Sequence, residues 1–221
     1  MPKQEKQSLF RFKRFALKHG CGSFKIGTDA VILGAWAGQG SNPKYILDIG
    51  TGSGIIALML AQRFENSTVE AVEIDPYSFE TARENFQKSP FSDRLNIYLS
   101  DIKKFVPQKQ YDLMVCNPPF FQNSMKPDRE MDKRSKHNAY LNKEDLFSFA
   151  KNNLNPSGEM SLMLPIDLFE ETKELSETYL FKLTKVLFVH PTLSKSPNRF
   201  VAAFSKNPGF NYREEQLYIE K

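Results

Sequence analysis

Two groups of residues in this chain of 221 residues have the types and spacing to do chemistry together. Asn117-Pro118-Pro119-Phe120 follows the apolar run 111–116. Proline fixes φ and blocks helix, so two in succession hold a rigid extended turn. From such a turn the Asn117 side-chain carbonyl and the Pro118 backbone carbonyl both accept from one planar NH2 group. Phe120 then stacks on the ring that carries the amine. An exocyclic aromatic amine is a weak nucleophile because its lone pair is delocalised into the ring. Two carbonyls drawing on its hydrogens favour a tetrahedral nitrogen and stabilise the positive charge that develops as it attacks an alkyl donor. No dedicated base is required, because the proton leaves to water. Asn117, Pro118, Pro119 and Phe120 are the candidate catalytic group.

The second group is Asp48-Ile49-Gly50-Thr51-Gly52-Ser53-Gly54, again directly after an apolar run. Glycines let a strand-to-helix loop turn sharply and approach a ligand without a Cβ clash. A dinucleotide fingerprint needs a further glycine where Ile55 stands, and no Gly-Lys-Ser/Thr ending suits a nucleoside triphosphate. The loop therefore points to S-adenosylmethionine, which has no pyrophosphate. Glu73 lies about 20 residues beyond the loop, the spacing of a carboxylate that accepts the ribose hydroxyls. Ile74 would lie against the adenine, and Asp75 before Pro76 suits a helix start. Ser100-Asp101-Ile102 offers a carboxylate for the adenine amino group and an apolar contact, although Asp101 would serve equally as a helix N-cap. The cofactor-binding candidates from these motifs are Asp48, Gly50, Gly52, Gly54, Glu73, Ile74, Asp101, Ile102 and Asn117.

Elements must hold these loops in place. Residues 45–49, 69–74, 95–99 and 111–116 read as strands, and 55–64 and 77–88 carry helical spacing. A helix near 142–153, a turn at Pro156-Ser157-Gly158, a strand at 159–164 and a helix over about 166–178 follow. Strands at 181–190 and 199–205 close the pattern; the segment joining them lacks helical period, so they should form an antiparallel hairpin at one edge. Strands separated by helices imply right-handed crossovers. The expected fold is α/β, a doubly wound, mostly parallel, seven-stranded Rossmann-like sheet of the class I methyltransferase kind. Residues 1–40 read as an N-terminal strand and helix extension, and 41–221 as the methyltransferase domain. In the extension Phe10 and Phe12 alternate with Arg11 and Lys13, and Thr28-Asp29 opens an apolar helix with Thr28 as N-cap. This unit is expected to lie over the cofactor end of the sheet as a small lid.

A hydrophobic share of 40% with 25% charged residues is that of a soluble globular protein. The longest apolar run is too short to cross a bilayer and the N-terminus has no signal-like apolar core, so a cytoplasmic protein without membrane contact is expected. Cys21 and Cys116 offer neither a disulfide framework nor a metal-ligand spacing, so no metal is expected. His19, His137 and His190 lack carboxylate partners for a triad. Net charge is +4, and its distribution says more than its size. Lys3, Lys6, Arg11, Lys13, Arg14, Lys18 and Lys25 are opposed by the single acid Glu5, and Lys126, Arg129, Lys133, Arg134 and Lys136 form a second basic stretch. Both flank the candidate site in sequence, which favours an RNA substrate contacted by Arg11, Lys13, Arg14, Arg134 and Arg199. A monomer is expected.

Taken together, these motifs resemble the class I methyltransferases with an Asn-Pro-Pro-aromatic motif. More narrowly, the chain is similar to the bacterial tRNA1(Val) adenine-N6 methyltransferase family. The residues that carry this are Phe12-Lys13-Arg14-Phe15, Lys25-Ile26-Gly27-Thr28-Asp29, Leu33-Gly34-Ala35-Trp36, the Asp48 to Gly54 loop, Ala71-Val72-Glu73, Ser89-Pro90, Asp101-Ile102, Asn117-Pro118-Pro119, Pro197-Asn198-Arg199 and Ala203-Phe204-Ser205. The resemblance implies methylation of N6 of the adenosine just 3′ of the anticodon in tRNA, with S-adenosylmethionine as donor. It also implies that Lys25 and Thr28 or Asp29 border the methionine end of the cofactor. Phe120 stands where the family carries tyrosine, which keeps the stacking face and loses a hydroxyl. The same tetrapeptide could grip the glutamine amide of a release factor, and a guanine-N2 rRNA methyltransferase is a further rival, although Phe121 stands where those often carry histidine. A cofactor-binding scaffold without activity is a rival from another class, against which the intact Asn117 argues.

Overall fold

In the computed structural model, which describes residues 8–19, 27–118, 141–207 and 212–220, the chain opens with a hairpin. β1 (Ser8–Arg11) and β2 (Ala16–His19) pair antiparallel around a turn in which the Phe12 N–H donates to the Phe15 carbonyl at 2.9 Å. The aromatic and basic alternation reads as one strand; the chain instead turns back, because Phe12 stacks on Phe15 with 4.6 Å between centroids. Next comes α1 (Thr28–Trp36). Its N-cap is Gly27 rather than Thr28, and no side chain caps it, while Asp29 does occupy the first turn.

The rest alternates as expected: β3 (Tyr45–Ile49), α2 (Ile55–Arg63), β4 (Thr68–Glu73), α3 (Pro76–Gln87), β5 (Leu95–Leu99), β6 (Tyr111–Cys116), α4 (Lys143–Asn153), β7 (Leu154–Pro165), α5 (Phe169–Thr178), β8 (Lys182–Thr192), β9 (Arg199–Ser205) and β10 (Arg213–Glu220). Pro76 starts α3 at its first position, and the Asp75 carboxylate accepts from the Ser78 N–H at 2.8 Å.

β3 to β10 form one sheet in the order β10-β8-β9-β7-β6-β3-β4-β5. β3, β4, β5, β6 and β7 pair parallel; β9 is antiparallel to both β7 and β8. Three corrections follow. The sheet has eight strands among the described residues, not seven, because β10 adds parallel to β8. Consequently the β8–β9 hairpin is not at the edge. β10 escapes sequence detection because an edge strand needs little apolar pattern. Five of its eight residues are polar or charged, Tyr218 and Ile219 are exposed, and only Leu217 packs on the core. Finally, Pro156-Ser157-Gly158 is no simple turn but part of an irregular stretch of β7, where the pairing passes from Tyr111↔Leu154 to Leu113↔Glu159. Asp112 meets this stretch, accepting from the Asn155 amide at 2.5 Å and from the Lys44 and Tyr45 N–H groups at 2.8 and 2.9 Å.

Apolar clusters cover both sheet faces. Leu47, Met114, Leu162 and Phe204 face α4 through Phe147 and Leu146. On the other face Phe15, Leu17, Leu33 and Trp36 from the N-terminal unit share one cluster with Ile46, Leu58, Val69 and Val115. Each such side chain stabilises the fold by about 1.5–3 kcal/mol on burial. Phe15 and Leu17 of the hairpin and the buried face of α1 are thus packed into the same core as the sheet.

The direction of the hairpin follows from its neighbours. Lys18 meets Asn85, which also bonds Ser53 at the start of α2. The turn lies toward the other end of α2, where Arg14 pairs with Glu65 at 3.5 Å and Phe15 packs edge-on against Phe91. Its described residues therefore run along the flank of α2 and α3, with the basic turn displaced from the glycine loop by about the length of α2, roughly 14 Å at 1.5 Å per residue.

Candidate active site

Parallel pairing lines up the strand ends. Leu99 pairs with Glu73, Val72 with Ile49, Ile49 with Cys116, and Cys116 with Leu162. With adjacent strands about 4.8 Å apart, Asn117 leaves the sheet beside Gly50, and Glu73 ends its strand on Gly50's other side. The order reverses at β3, whose neighbours are β4 and β6, and open α/β sheets bind ligands outside the strand ends at such a switch.

The glycine loop is left-handed at three positions, with φ of 69° at Gly50, 58° at Gly52 and 86° at Gly54. The three glycines differ in what surrounds them. A Cβ on Gly50 or Gly52 would meet nothing within 4 Å, whereas one on Gly54 would lie 2.5 Å from the Phe86 ring. The first two leave backbone open to a ligand; the third lets α3 press against the start of α2.

Asp48 does not face open solvent. It is fully buried behind the loop, where Oδ2 accepts from the Thr51 hydroxyl at 2.6 Å and the Ala57 N–H at 3.1 Å, so it caps α2 from the strand. Its Oδ1 has no partner among the described residues. Burial, and then the nearby Glu73 charge, push its pKa from 3.8 to about 7 against the lowering effect of those two hydrogen bonds. Glu73 is also buried. Its Oε2 accepts from the Gly52 N–H at 2.8 Å, and Oε1 from the Ile74 and Asp75 N–H groups at 2.9 and 3.0 Å. Burial raises its pKa in spite of these three donors. A carboxylate has about four acceptor positions, so one remains. Taking both ribose hydroxyls, as the sequence suggests, requires a backbone N–H to yield. Burial also raises the thiol of Cys116, an inert apolar group next to Asn117.

Beside the loop opens a cleft lined by Ile49, Gly50, Val72, Ile74, Ser100, Asp101, Ile102, Lys103 and Leu141. The sequence-based candidates Gly50, Ile74, Asp101 and Ile102 thus meet in one place. Asp101 lines the cleft and accepts from the Lys103 N–H at 3.0 Å; this closes a turn over residues 101–104, where no helix follows for it to cap. Lys103 and Leu141 had no local signal. The residues present fit a nucleoside: apolar walls for a base, acids for its donors, and open backbone at Gly50 and Gly52.

Other candidates lie apart. Thr28 is exposed in the first turn of α1, and its neighbour Asp29 pairs with Arg199 at 3.3 Å. Arg199 pairs in register with Pro165, so it stands at the same sheet end as Asn117. Arg11, Lys13 and Arg14 are exposed on the hairpin flank. Lys25, Pro119, Phe120 and Arg134 lie outside the described residues. Among the described residues no cluster of His, Cys, Asp and Glu could hold a metal, and no helix is long and apolar enough to cross a membrane.

Comparison with known proteins agrees with this geometry. Residues 37–184 match the methyltransferase small domain family. The chain is 41% identical over 204 residues to the tRNA1(Val) (adenine(37)-N6)-methyltransferase of Porphyromonas gingivalis strain ATCC 33277, covering 88% of this chain and 79% of that one. With the enzyme of the same name from Flavobacterium psychrophilum it shares 37% identity over 214 residues, covering 96% and 91%. Among solved structures, the glycopeptide N-methyltransferase MtfA complexed with S-adenosyl-L-methionine superposes with a TM-score of 0.58 at 11% identity, over 81% of this chain and 93% of that one. That last likeness is one of fold.

Proposed function

Because this chain belongs to the methyltransferase small domain family and, within it, to the tRNA1(Val) (adenine(37)-N6)-methyltransferases, we propose that it methylates the exocyclic N6 of adenosine 37 in tRNA1(Val), using S-adenosylmethionine. The row of strand ends that sets Asn117 beside Gly50 carries this assignment. S-Adenosylmethionine, when bound, supplies an electrophilic methyl group on a sulfonium. Ile74 and Ile102 flank the adenine of the cofactor, Asp101 accepts from its amino group, and Glu73 uses its remaining acceptor position for the ribose. Gly50 and Gly52 allow the backbone to approach.

On the other side of Gly50, the Asn117 and Pro118 carbonyls hold the hydrogens of the target amine. They fix its lone pair in line for displacement and stabilise the charge it gains. The nitrogen then releases one proton to water. A stacked base cannot reach such a pocket, so the target adenosine must be turned out of its stack. Arg199, at the same sheet end, lies where the substrate would enter. Arg11, Lys13 and Arg14, displaced along the flank, suit phosphates of the stem more than the reacting nucleotide.

Asn117→Ala should lower the single-turnover rate on tRNA1(Val) roughly 10²–10³-fold while leaving affinity for S-adenosylhomocysteine nearly unchanged. Loss of both in parallel would remove Asn117 from the chemistry. Nucleoside mass spectrometry of tRNA from cells with and without the protein should report N6-methyladenosine lost at position 37. Unchanged tRNA, with methylation of a protein glutamine instead, would overturn the substrate.

A further inference from the structure

Three consecutive residues of α3 join the basic hairpin to the glycine loop. The Glu84 carboxylate accepts from the Lys18 ammonium at 2.9 Å. Phe86 packs where a Cβ on Gly54 would stand. Between them Asn85, only 2% exposed, accepts from the Lys18 N–H at 2.9 Å. Its amide group donates to the Lys18 carbonyl at 2.9 Å and to the Ser53 carbonyl at 2.8 Å. One buried side chain thus pairs with a strand of the hairpin as a neighbouring strand would, and holds the last residue before Gly54 with its other hydrogen. Ser78, Ala82, Asn85 and Phe86 form the buried stripe of α3, so a lone amide stands where the helical period calls for an apolar residue. A buried polar group is retained at a desolvation cost, which its three hydrogen bonds offset.

We propose that Asn85 is a positioning residue that couples the two substrates: RNA on the hairpin flank and cofactor on the glycine loop are bound through one shared rigid joint. This rests on the tRNA assignment above. Contact of RNA with Arg11, Lys13 and Arg14 fixes β2; β2 fixes the Asn85 amide; the amide fixes the Ser53 carbonyl and with it the conformation of Gly52 and Gly54. Ordering the loop once, for either ligand, leaves less to order for the second, and the coupling is reciprocal.

The test measures the Kd of S-adenosylhomocysteine by calorimetry with and without saturating tRNA1(Val) transcript. In the unaltered protein tRNA should tighten it at least about fivefold, the low end of ordinary coupling. In Asn85→Ala the ratio should fall to about one, even though each ligand still binds, whereas Lys18→Ala, which removes only the Glu84 ion pair, should retain it. A structural role alone would lower Tm and leave the ratio unmoved. A second measurement needs no variant: S-adenosylhomocysteine alone should slow amide exchange in residues 16–19 as well as 50–54 of the unaltered protein. Protection confined to the loop, or a ratio near one in the unaltered protein while tRNA binds, would overturn the coupling. Failure to bind tRNA at all would instead overturn the substrate assignment, and the RNA half of the coupling with it.

Discussion

Around the glycine loop the polar groups are buried and nearly all bonded: Glu73 receives three backbone N–H groups, and Asp48 holds Thr51 and Ala57 on one oxygen. Along the hairpin flank the charges stand in water. Arg11 and Lys13 are exposed, and Arg14 meets Glu65 with side chains 59% and 71% exposed. An ion pair of that kind contributes about 0–1 kcal/mol, whereas leaving one buried polar group without its partner costs about 1–3 kcal/mol. On the proposed function, the contrast teaches how each side would recognise its ligand. The loop would offer one shape to one small molecule, with stability and affinity entangled there. The flank would offer charge to a polyanion, so that contacts add up and affinity separates from stability.

The glycines give the sharpest way to break that contrast. Gly54→Ala combines a left-handed backbone with a Cβ forced onto the Phe86 ring. It should destabilise by roughly 2–4 kcal/mol and lower Tm by about 5–10 °C. Gly52→Ala meets open space and carries only the backbone strain of about 1–2 kcal/mol. It should change Tm less, and weaken cofactor binding by roughly tenfold because the new methyl faces the ligand. Equal Tm losses in differential scanning calorimetry would refute the division of roles.

A smaller effect should appear with pH. Asp48 ionises near 3.8 when unfolded and near 7 when folded. Between these values the folded state keeps a proton that the unfolded state has lost. Its stabilising effect is therefore fully present below about pH 4 and is lost as pH rises toward 7. The raised value of Glu73 acts in the same direction. Asp48→Asn should flatten this slope, so that its Tm relative to the unaltered protein rises by on the order of 5 °C across the window. Parallel curves would mean that Asp48 is ionised in the fold.

The smallest effect is expected on the flank. Replacing Lys13 and Arg14 by alanine should leave Tm nearly unchanged and weaken tRNA binding several-fold, lowering the salt slope by about 1.4–1.8 for the two cations. Filter binding at several salt concentrations measures it, and an unaltered slope would mean that this face does not touch RNA.

How legible each region was follows from the range of its interactions. The glycine loop, the helix start at Pro76, and the cleft residues Ile74, Asp101 and Ile102 could be read because each is decided within a few residues of chain. Three features were not. Asp48 reads as a ligand contact, yet it turns inward because Ala57, at the start of the next helix, needs an acceptor. Asn85 has only an anomalous place on a buried stripe to betray it, and its partners Lys18 and Ser53 are distant in sequence. The strand Arg213–Glu220 carries no apolar alternation because solvent covers most of it.

By itself, then, the sequence determined the alternation of strands and helices and the left-handed loop, since steric limits on φ and the period of apolar residues are local and need no partner. Only the tertiary structure decided that the sheet takes an eighth strand, that the basic turn lies along α2, and that one amide ties β2 to the glycine loop. Those outcomes depend on which distant groups fill each other's buried hydrogen-bonding positions, a choice made by packing across the whole chain.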